Sequence, residues 1–277
     1  MKFSVLMTTY IGETAENIDA SLSSILTEQT VKPSQIVLVY DGEVKESLEE
    51  VVNKYKNLFP DILEIVKLDK NQGQSKASAE GFKYLKNEWF ARMDSDDISV
   101  ADRFSKQIAV IGGNPELDVV GGFISEFKET VGDTESIRVV PENHDDIVKA
   151  FKSRTPINNV SAMIKKSAVE KAGGYGRDTV NEDFSLYAHM WVEGCRFYNI
   201  QEVLVNVRVG NGMVSRRGGF RLFKDWKKDQ KFLLKSGKHG YITYFISCFK
   251  CFVFVMSPKW LKRLLYKTLL RKKIVNG

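Results

Sequence analysis

A chain of 277 residues, 43% of them hydrophobic and with no excess of Gly or Pro, suffices for one large α/β domain plus an appendage and excludes a disordered or repeat protein. The net charge of +6 is unevenly spread: residues 216–277 hold 17 Lys/Arg against Asp225 and Asp229 alone, leaving 24 against 33 acids in residues 1–215. That split predicts an acidic body with a basic tail that meets a polyanion or an anionic membrane.

Three cysteines exclude a disulfide framework and fit a reducing cytoplasm. Cys248 and Cys251 form a C-x-x-C in an apolar, aromatic run, and without a second ligand pair they do not read as a zinc or redox site. No charged leader precedes the first strand, so secretion is not expected.

Lys2 to Met7 reads as a buried strand that ends in Thr8-Thr9-Tyr10. Glu13 to Leu26 has helical spacing through Ile18, Leu22, Ile25 and Leu26. Gln35 to Val39 predicts a second strand, ending in Tyr40-Asp41-Gly42. A helix over Lys45 to Phe59, a strand over Leu63 to Leu68, a turn to Gly73 and a helix over Ser75 to Leu85 follow. The fourth strand, Phe90 to Met93, stops abruptly in Asp94, Asp96 and Asp97. Such alternation predicts a parallel, doubly wound sheet, with ligands bound beyond the carboxyl ends of its strands. Thr8 and Tyr10, Asp41, Asn71 and Gly73, and Asp94 and Asp96 follow four successive strands. They should therefore converge on one crevice.

Three acids within four residues repel one another unless a cation or a hydrogen-bonding ligand sits among them. Hard oxygen donors suit Mg2+ or Mn2+, which keep some waters and also bind substrate phosphates. The same acids also suit a solvated turn that caps the next helix. Ile11-Gly12-Glu13 has a single Gly, which speaks against a dinucleotide fingerprint or a P-loop. The charge of a bound diphosphate would then be met by a metal or by basic side chains.

Further on, after Asp102-Arg103-Phe104, a helix runs to about Ile111, and Val119 to Phe127 is a strand. Gly121-Gly122 inside it marks close approach of backbone or ligand. Asp145 to Ser153 predicts a helix, Asn158 to Ile164 a strand and Lys166 to Ala172 a short helix. Phe184, Tyr187, Ala188 and Trp191 recur at helical spacing, so Glu182 and Asp183 open a helix, where acids also complement the helix dipole. His189 reads as structural or exposed.

Tyr241 to Met256 is apolar and aromatic but falls short of the ~20 residues that span a bilayer, and Pro258 ends it. Trp260 to Ile274 sets Leu261, Leu264, Leu265 and Leu269 against Lys262, Arg263, Lys267 and Arg271, the pattern of an interfacial helix on an anionic membrane. The alternative is an appendage packed on the body or on a second subunit of a homodimer. No nucleic-acid module is recognisable, so nucleic acid is not expected as a partner.

Ser4-Val-Leu-Met-Thr-Thr-Tyr10, Val37-Leu-Val-Tyr-Asp-Gly42, Asn71-x-Gly73, Met93-Asp-Ser-Asp-Asp-Ile98 and Asn181-Glu-Asp183 occur in the order found in glycosyltransferase family 2, which the chain resembles over roughly residues 1–215. Val207-Arg-Val-Gly-Asn-Gly212 and Arg216-Arg-Gly-Gly219 resemble bacterial members that build capsule, exopolysaccharide or O-antigen units, including the amylovoran type. The resemblance implies a GT-A fold: a Rossmann-like, mostly parallel central sheet flanked by helices, here with a C-terminal helical extension. Residues 1–100 would form the nucleotide-sugar half, 101–215 the acceptor half and 216–277 the extension. It also implies an inverting transferase that uses Mn2+ or Mg2+, a UDP-sugar donor and a lipid-linked glycan acceptor. The enzyme would work in the cytoplasm, peripherally on the inner face of the cell membrane.

Residue by residue, the resemblance implies that Thr8 and Tyr10 line the nucleotide pocket, beside Asn71. Asp41 accepts from the uracil N3–H, Asp94 contacts ribose or diphosphate, Asp96 ligates the metal, and Asp183 is the general base. Arg208, Arg216 and Arg217 add positive charge near the diphosphate or are solvated loop charge. The family usually has Asp-Asp-Gly-Ser where this chain has Tyr40-Asp41-Gly42-Glu43, so Tyr40 replaces the first acid. The other readings are a nucleotidyltransferase, which lacks its glycine-rich basic signature here, and a non-catalytic nucleotide-sugar-binding or scaffold subunit.

Overall fold

Alternate side chains of β1 (Phe3–Thr9) leave on opposite faces and set the layers of the molecule. Phe3, Val5 and Met7 pack with Ile18, Leu22 and Ile25 of α1 (Ala15–Leu26) and with Leu48 and Val52 of α2 (Glu46–Leu58). Leu6 joins the other layer, with Ala77 and Phe82 of α3 (Gln74–Phe82). Because both faces are covered, β1 and β2 (Gln35–Tyr40) are buried along their whole length, which is why they read as continuous apolar runs. The computed structural model describes residues 1–177, 179–210, 219–258 and 272–273.

β1 pairs in parallel with β2 and with β4 (Trp89–Asp94), and β2 with β3 (Leu63–Lys67). This is the parallel half that strand–helix alternation predicts. Thr8 lies opposite both Val39 and Asp94, so the carboxyl ends finish side by side. Beyond β4 the sheet is mixed. β8 (Met163–Lys165) runs antiparallel to β4 and to β6 (Val119–Phe127), while β9 (Phe197–Arg208) runs parallel to β6. Short strands complete it: β5 (Ile98–Ser99) on β9, and β7 (Ser136–Arg138) between β6 and β10 (Lys272–Lys273). α4 (Arg103–Gly113), α5 (His144–Ala150) and α6 (Lys166–Lys171) lie between these strands in the chain.

Three features differ from the sequence expectation. β9 is absent from the predicted elements, because Asn199, Gln201 and Glu202 break its apolar alternation. It follows β6 through a register shift at Gly122–Phe123. A Cβ on Gly121 would stand 2.4 Å from Asn199 Oδ1, and one on Gly122 2.5 Å from Leu204 Cδ1. The close approach marked by the glycine pair is thus that of β9. Secondly, Asn158 to Ile164 is not one strand but a 3-10 turn at Asn159–Ser161 followed by β8. The Asn158 amide donates to Gly122 O (2.8 Å) and the Ser161 hydroxyl to Asn158 O (2.8 Å), drawing the backbone out of the ladder. Thirdly, Lys272 and Lys273 pair with the edge strand β7, whose backbone would otherwise lie open, so a helix does not run on to Ile274. The rest of that predicted interfacial helix, and Arg216 and Arg217, lie outside the described residues.

The extension begins with α8 (Phe220–Lys235) and α9 (Tyr241–Met256). Trp226 and Leu233 of α8 enter the second core layer, where the Trp226 and Phe184 rings lie 4.5 Å apart. α9 packs on α8, with Trp226 Nε1 donating to Ser247 Oγ at 3.0 Å. No described helix is long and apolar enough to cross a membrane.

Candidate active site

The carboxyl ends of β1 to β4 open into a cleft of about 790 Å³. Thr8, Tyr10, Asp41, Asn71, Asp94 and Asp96 line it from the first half of the chain, and Asp183 and Arg208 from the second. All eight residues singled out from the sequence border one space.

Asp41 is 4% exposed. Its Oδ1 accepts from Gln72 N (2.7 Å) and its Oδ2 from Gly73 N (2.9 Å), so the carboxylate ties the end of β2 to the turn after β3. Gly42 makes that approach feasible. Its φ is +84°, and a Cβ would lie 2.6 Å from Asn71 N. Gly42→Ala is therefore expected to cost about 1–3 kcal/mol of stability. Urea unfolding checks this, and an unchanged midpoint would contradict it. Tyr10 is half exposed, and its ring covers Gly12.

β4 carries one cation in an apolar strand. Arg92 is 1% exposed. Its Nη1 donates to Leu6 O at 3.0 Å, and its Nη2 to Asp94 Oδ1 at 3.3 Å. Residues i and i+2 of a strand share a face, which is why Arg92 reaches Asp94. Gln74 Nε2 donates to the same Asp94 oxygen at 2.9 Å. Burial works against the charge of Arg92, but Tyr175 and the acids Asp94, Glu182 and Asp183 outweigh it and hold the guanidinium above its ordinary value. Glu182 and Asp183 open α7 (Glu182–Val192). The charge of this buried cation is thus met by acids of β4 and of α7, as a buried charge requires.

Burial and the neighbouring Asp94 and Glu13 carboxylates push Asp96 up to about 7. Asp97, 2% exposed, is raised by burial and then by Asp94 and Asp96. Its Oδ1 accepts from Arg208 N at 2.8 Å. The Arg208 side chain donates to Asp96 O (3.3 Å) and Lys128 O (3.2 Å) and lies over the Phe127 ring at 4.5 Å. Arg208 thus braces the acidic turn as well as lining the cleft. Glu13 is held by Asn17 Nδ2 (2.8 Å) and Ser95 Oγ (2.9 Å). Among the described residues, no three His, Cys, Asp or Glu side chains are grouped to hold a metal ion. The donor set nonetheless fits Mg2+ or Mn2+ held by one or two carboxylates and by substrate phosphates. A cation at Asp96 would relieve the repulsion that raises it.

In the same cleft, burial and then Asp183 push Glu182 up to about 7, and its Oε1 is buried with no hydrogen-bond partner among the described residues. The only two acids of the extension brace this corner. Asp225 Oδ2 accepts from Val180 N (3.0 Å), and Asp229 Oδ1 from Ser185 Oγ (3.0 Å), one on each side of Asp183 in the chain.

Asp229 is 4% exposed, and burial, with help from Asp225, pushes it up to about 7. An acid raised in the folded state binds more protons than in the unfolded chain between its ordinary value of 3.8 and about 7, so stability falls as pH rises through that window. Asp229→Asn is expected to reduce the fall, by at most about 4 kcal/mol. Melting curves between pH 5 and pH 8 check this, and equal slopes in both proteins would contradict it.

Sequence reasoning missed Arg92, Tyr175 and the contribution of Glu13. A lone Arg inside the run Trp89–Met93 was a usable signal, since a buried charge implies partners. Tyr175 and Glu13 carried none.

Glycosyl transferase family 2 matches residues 4–173. An uncharacterized glycosyltransferase of Haemophilus influenzae is 39% identical over 272 residues, 98% of this chain and 100% of the relative. The amylovoran biosynthesis glycosyltransferase AmsE of Erwinia amylovora is 35% identical over 87% of this chain and 88% of its own. The UDP-Gal:alpha-D-GlcNAc-diphosphoundecaprenol beta-1,3-galactosyltransferase of Escherichia coli is 28% identical over 98% and 97%. Among solved structures, S. aureus TarS aligns with a TM-score of 0.65 at 16% identity, covering 97% of this chain and 46% of that one. The mannosyltransferase PcManGT from Pyrobaculum calidifontis, in complex with GDP-Man and Mn2+, aligns with a TM-score of 0.65 at 16% identity, covering 92% and 70%. The fold is that of the GT-A glycosyltransferases, with a curled mixed sheet and added C-terminal helices. With a family match over more than half its length and full-length relatives of the same kind, the chain belongs to glycosyl transferase family 2 and is a glycosyltransferase.

Proposed function

We propose that this enzyme is a metal-dependent, inverting hexosyltransferase of bacterial surface polysaccharide biosynthesis, of the capsule or O-antigen kind. It moves a hexose or N-acetylhexosamine from a UDP-sugar to a lipid-linked oligosaccharide. One observation carries the reading: crowded acids at Asp94–Asp96 and at Glu182–Asp183 border one cleft, with the buried Arg92 among them. The relatives support the substrate classes, one being a UDP-Gal transferase to a diphosphoundecaprenol-linked sugar. PcManGT supports the cation.

In this reading Thr8, Tyr10 and Asn71 line the nucleotide pocket. The Asp41 oxygens keep spare lone pairs beyond their bonds to the turn, and one accepts from the uracil N3–H. Asp96 would hold a Mn2+ or Mg2+, which would supply Lewis-acid stabilisation of the departing diphosphate. Asp94, steadied by Arg92 and Gln74, meets the ribose or diphosphate. Arg208 adds positive charge on that side. Asp183 takes the proton of the acceptor hydroxyl as its oxygen attacks the anomeric carbon. The bond from that carbon to the phosphate oxygen breaks on the opposite face, which inverts the centre. Glu182, pushed up to about 7, is in part protonated at neutral pH, which eases the repulsion on its neighbour.

Residues 1–100 then serve the donor, with Arg208 added from the second half, and the rest of 101–215 serves the acceptor. A lipid carrier confines the acceptor to a membrane, so we assign the enzyme to the inner face of the cell membrane, with residues 216–277 as its contact. The test is UDP release from a panel of UDP-hexoses and UDP-N-acetylhexosamines. Slow release with one donor, abolished by EDTA and restored by Mn2+, is expected. UDP binding without release, even with a lipid-linked acceptor, would favour a non-catalytic subunit.

A further inference from the structure

α9 turns an apolar face to solvent. Ile242, Phe245, Phe249, Val253 and Met256 are between 46% and 77% exposed. At 3.6 residues per turn they fall within an arc of about 80°. Lys250 stands outside that arc, and the buried Ser247 and Cys248 face the other way, towards α8. So large an apolar stripe on an exposed helix marks a contact surface.

α8 supplies a second stripe. Lys224, Lys227, Lys228, Lys231 and Lys235 are all exposed and fall within an arc of about 100°. The two acids of this helix, Asp225 and Asp229, are bonded to Val180 and Ser185. The stripes adjoin where the Phe223 and Phe252 rings meet edge to face, 5.5 Å apart.

We propose that α8 and α9 form one lipid-docking surface: the α9 face lies among acyl chains in the plane of an anionic leaflet, and the α8 lysines bind headgroup phosphates. This deepens, and rests on, the assignment of residues 216–277 as the membrane contact. At 16 residues α9 is too short to span a bilayer, and an apolar face bordered by lysines is the pattern of a helix lying in the interface. Charge complementarity selects anionic lipid as the occupant. A second copy fits poorly, because a two-fold contact would bring lysine-rich rims together. α8 also holds Val180 and Ser185, so docking fixes the Asp183 corner of the cleft relative to the bilayer.

The test is co-sedimentation of the full chain, without nucleotide, with phosphatidylcholine vesicles with and without phosphatidylglycerol. Binding to the anionic vesicles is expected. It should weaken about tenfold or more in Phe245→Glu/Phe249→Glu and in Lys224→Glu/Lys228→Glu. These side chains are exposed and outside the cleft, so melting and UDP release in detergent should match the parent. Parent-like vesicle binding by Phe245→Glu/Phe249→Glu would overturn the proposal. So would a dimer in sedimentation velocity that those substitutions dissolve while vesicle binding persists. Intact, substitution-sensitive vesicle binding in a protein that releases no UDP from any donor would support docking and sink the transferase reading alone.

Discussion

Asp183→Asn is expected to lower turnover by roughly 10² or more while donor binding stays near that of the parent. The amide keeps the size of the side chain but cannot take a proton from the acceptor hydroxyl. Asp183 opens α7, a helix anchored by Phe184, Leu186, Tyr187 and Ala188, all buried. Its neighbours are held from α8 through Val180 and Ser185. The substitution should therefore leave the corner in place. Single-turnover measurements with saturating donor and acceptor, alongside calorimetry with UDP, separate chemistry from binding. Near-normal turnover would remove Asp183 as the base.

Asp96→Ala should act in the other parameter. Donor binding that depends on Mn2+ is expected to weaken by at least the roughly 10–100-fold seen when a mere supporting partner of a metal ligand is lost. Binding measured in EDTA should change little. The metal-free variant should also melt no lower than the parent, because an acid that burial, then Asp94 and Glu13, push up to about 7 has been removed. A lower melting point together with weaker binding would point instead to a structural role for Asp96. Unchanged affinity with Mn2+ present would refute the metal assignment.

The part of the cleft built by residues 1–100 was legible because it rests on local terms. Apolar runs of strand length, helical spacing between them and polar residues at each strand end suffice to place Thr8, Asp41, Asn71, Asp94 and Asp96 around one crevice. Asp41 was found as a residue, but its grip on Gln72 and Gly73 depends on how closely two turns approach. The second half was harder. β9 hides because its pairing with β6 shifts register between Ile200 and Val203, where Gln201 and Glu202 break the period-2 alternation. Arg208 was named for its charge, whereas its backbone bond to Asp97 appears only once β9 lies beside β5.

By itself the sequence determined the alternating layers, the carboxylates that end β4 and open α7, and the contrast between an acidic body and a basic extension. All of these follow from composition, period and the short range of backbone preferences. Only the tertiary structure decided that Arg92 feels the charge of Asp94 and of the Glu182–Asp183 pair together, that α8 braces Val180 and Ser185, and that α9 is left with an exposed apolar face. Those braces, and the charge relation of Arg92 to the Glu182–Asp183 pair, join residues from 44 to about 90 positions apart. Burial and Coulomb interaction depend on distance in space, which the chain acquires only on packing.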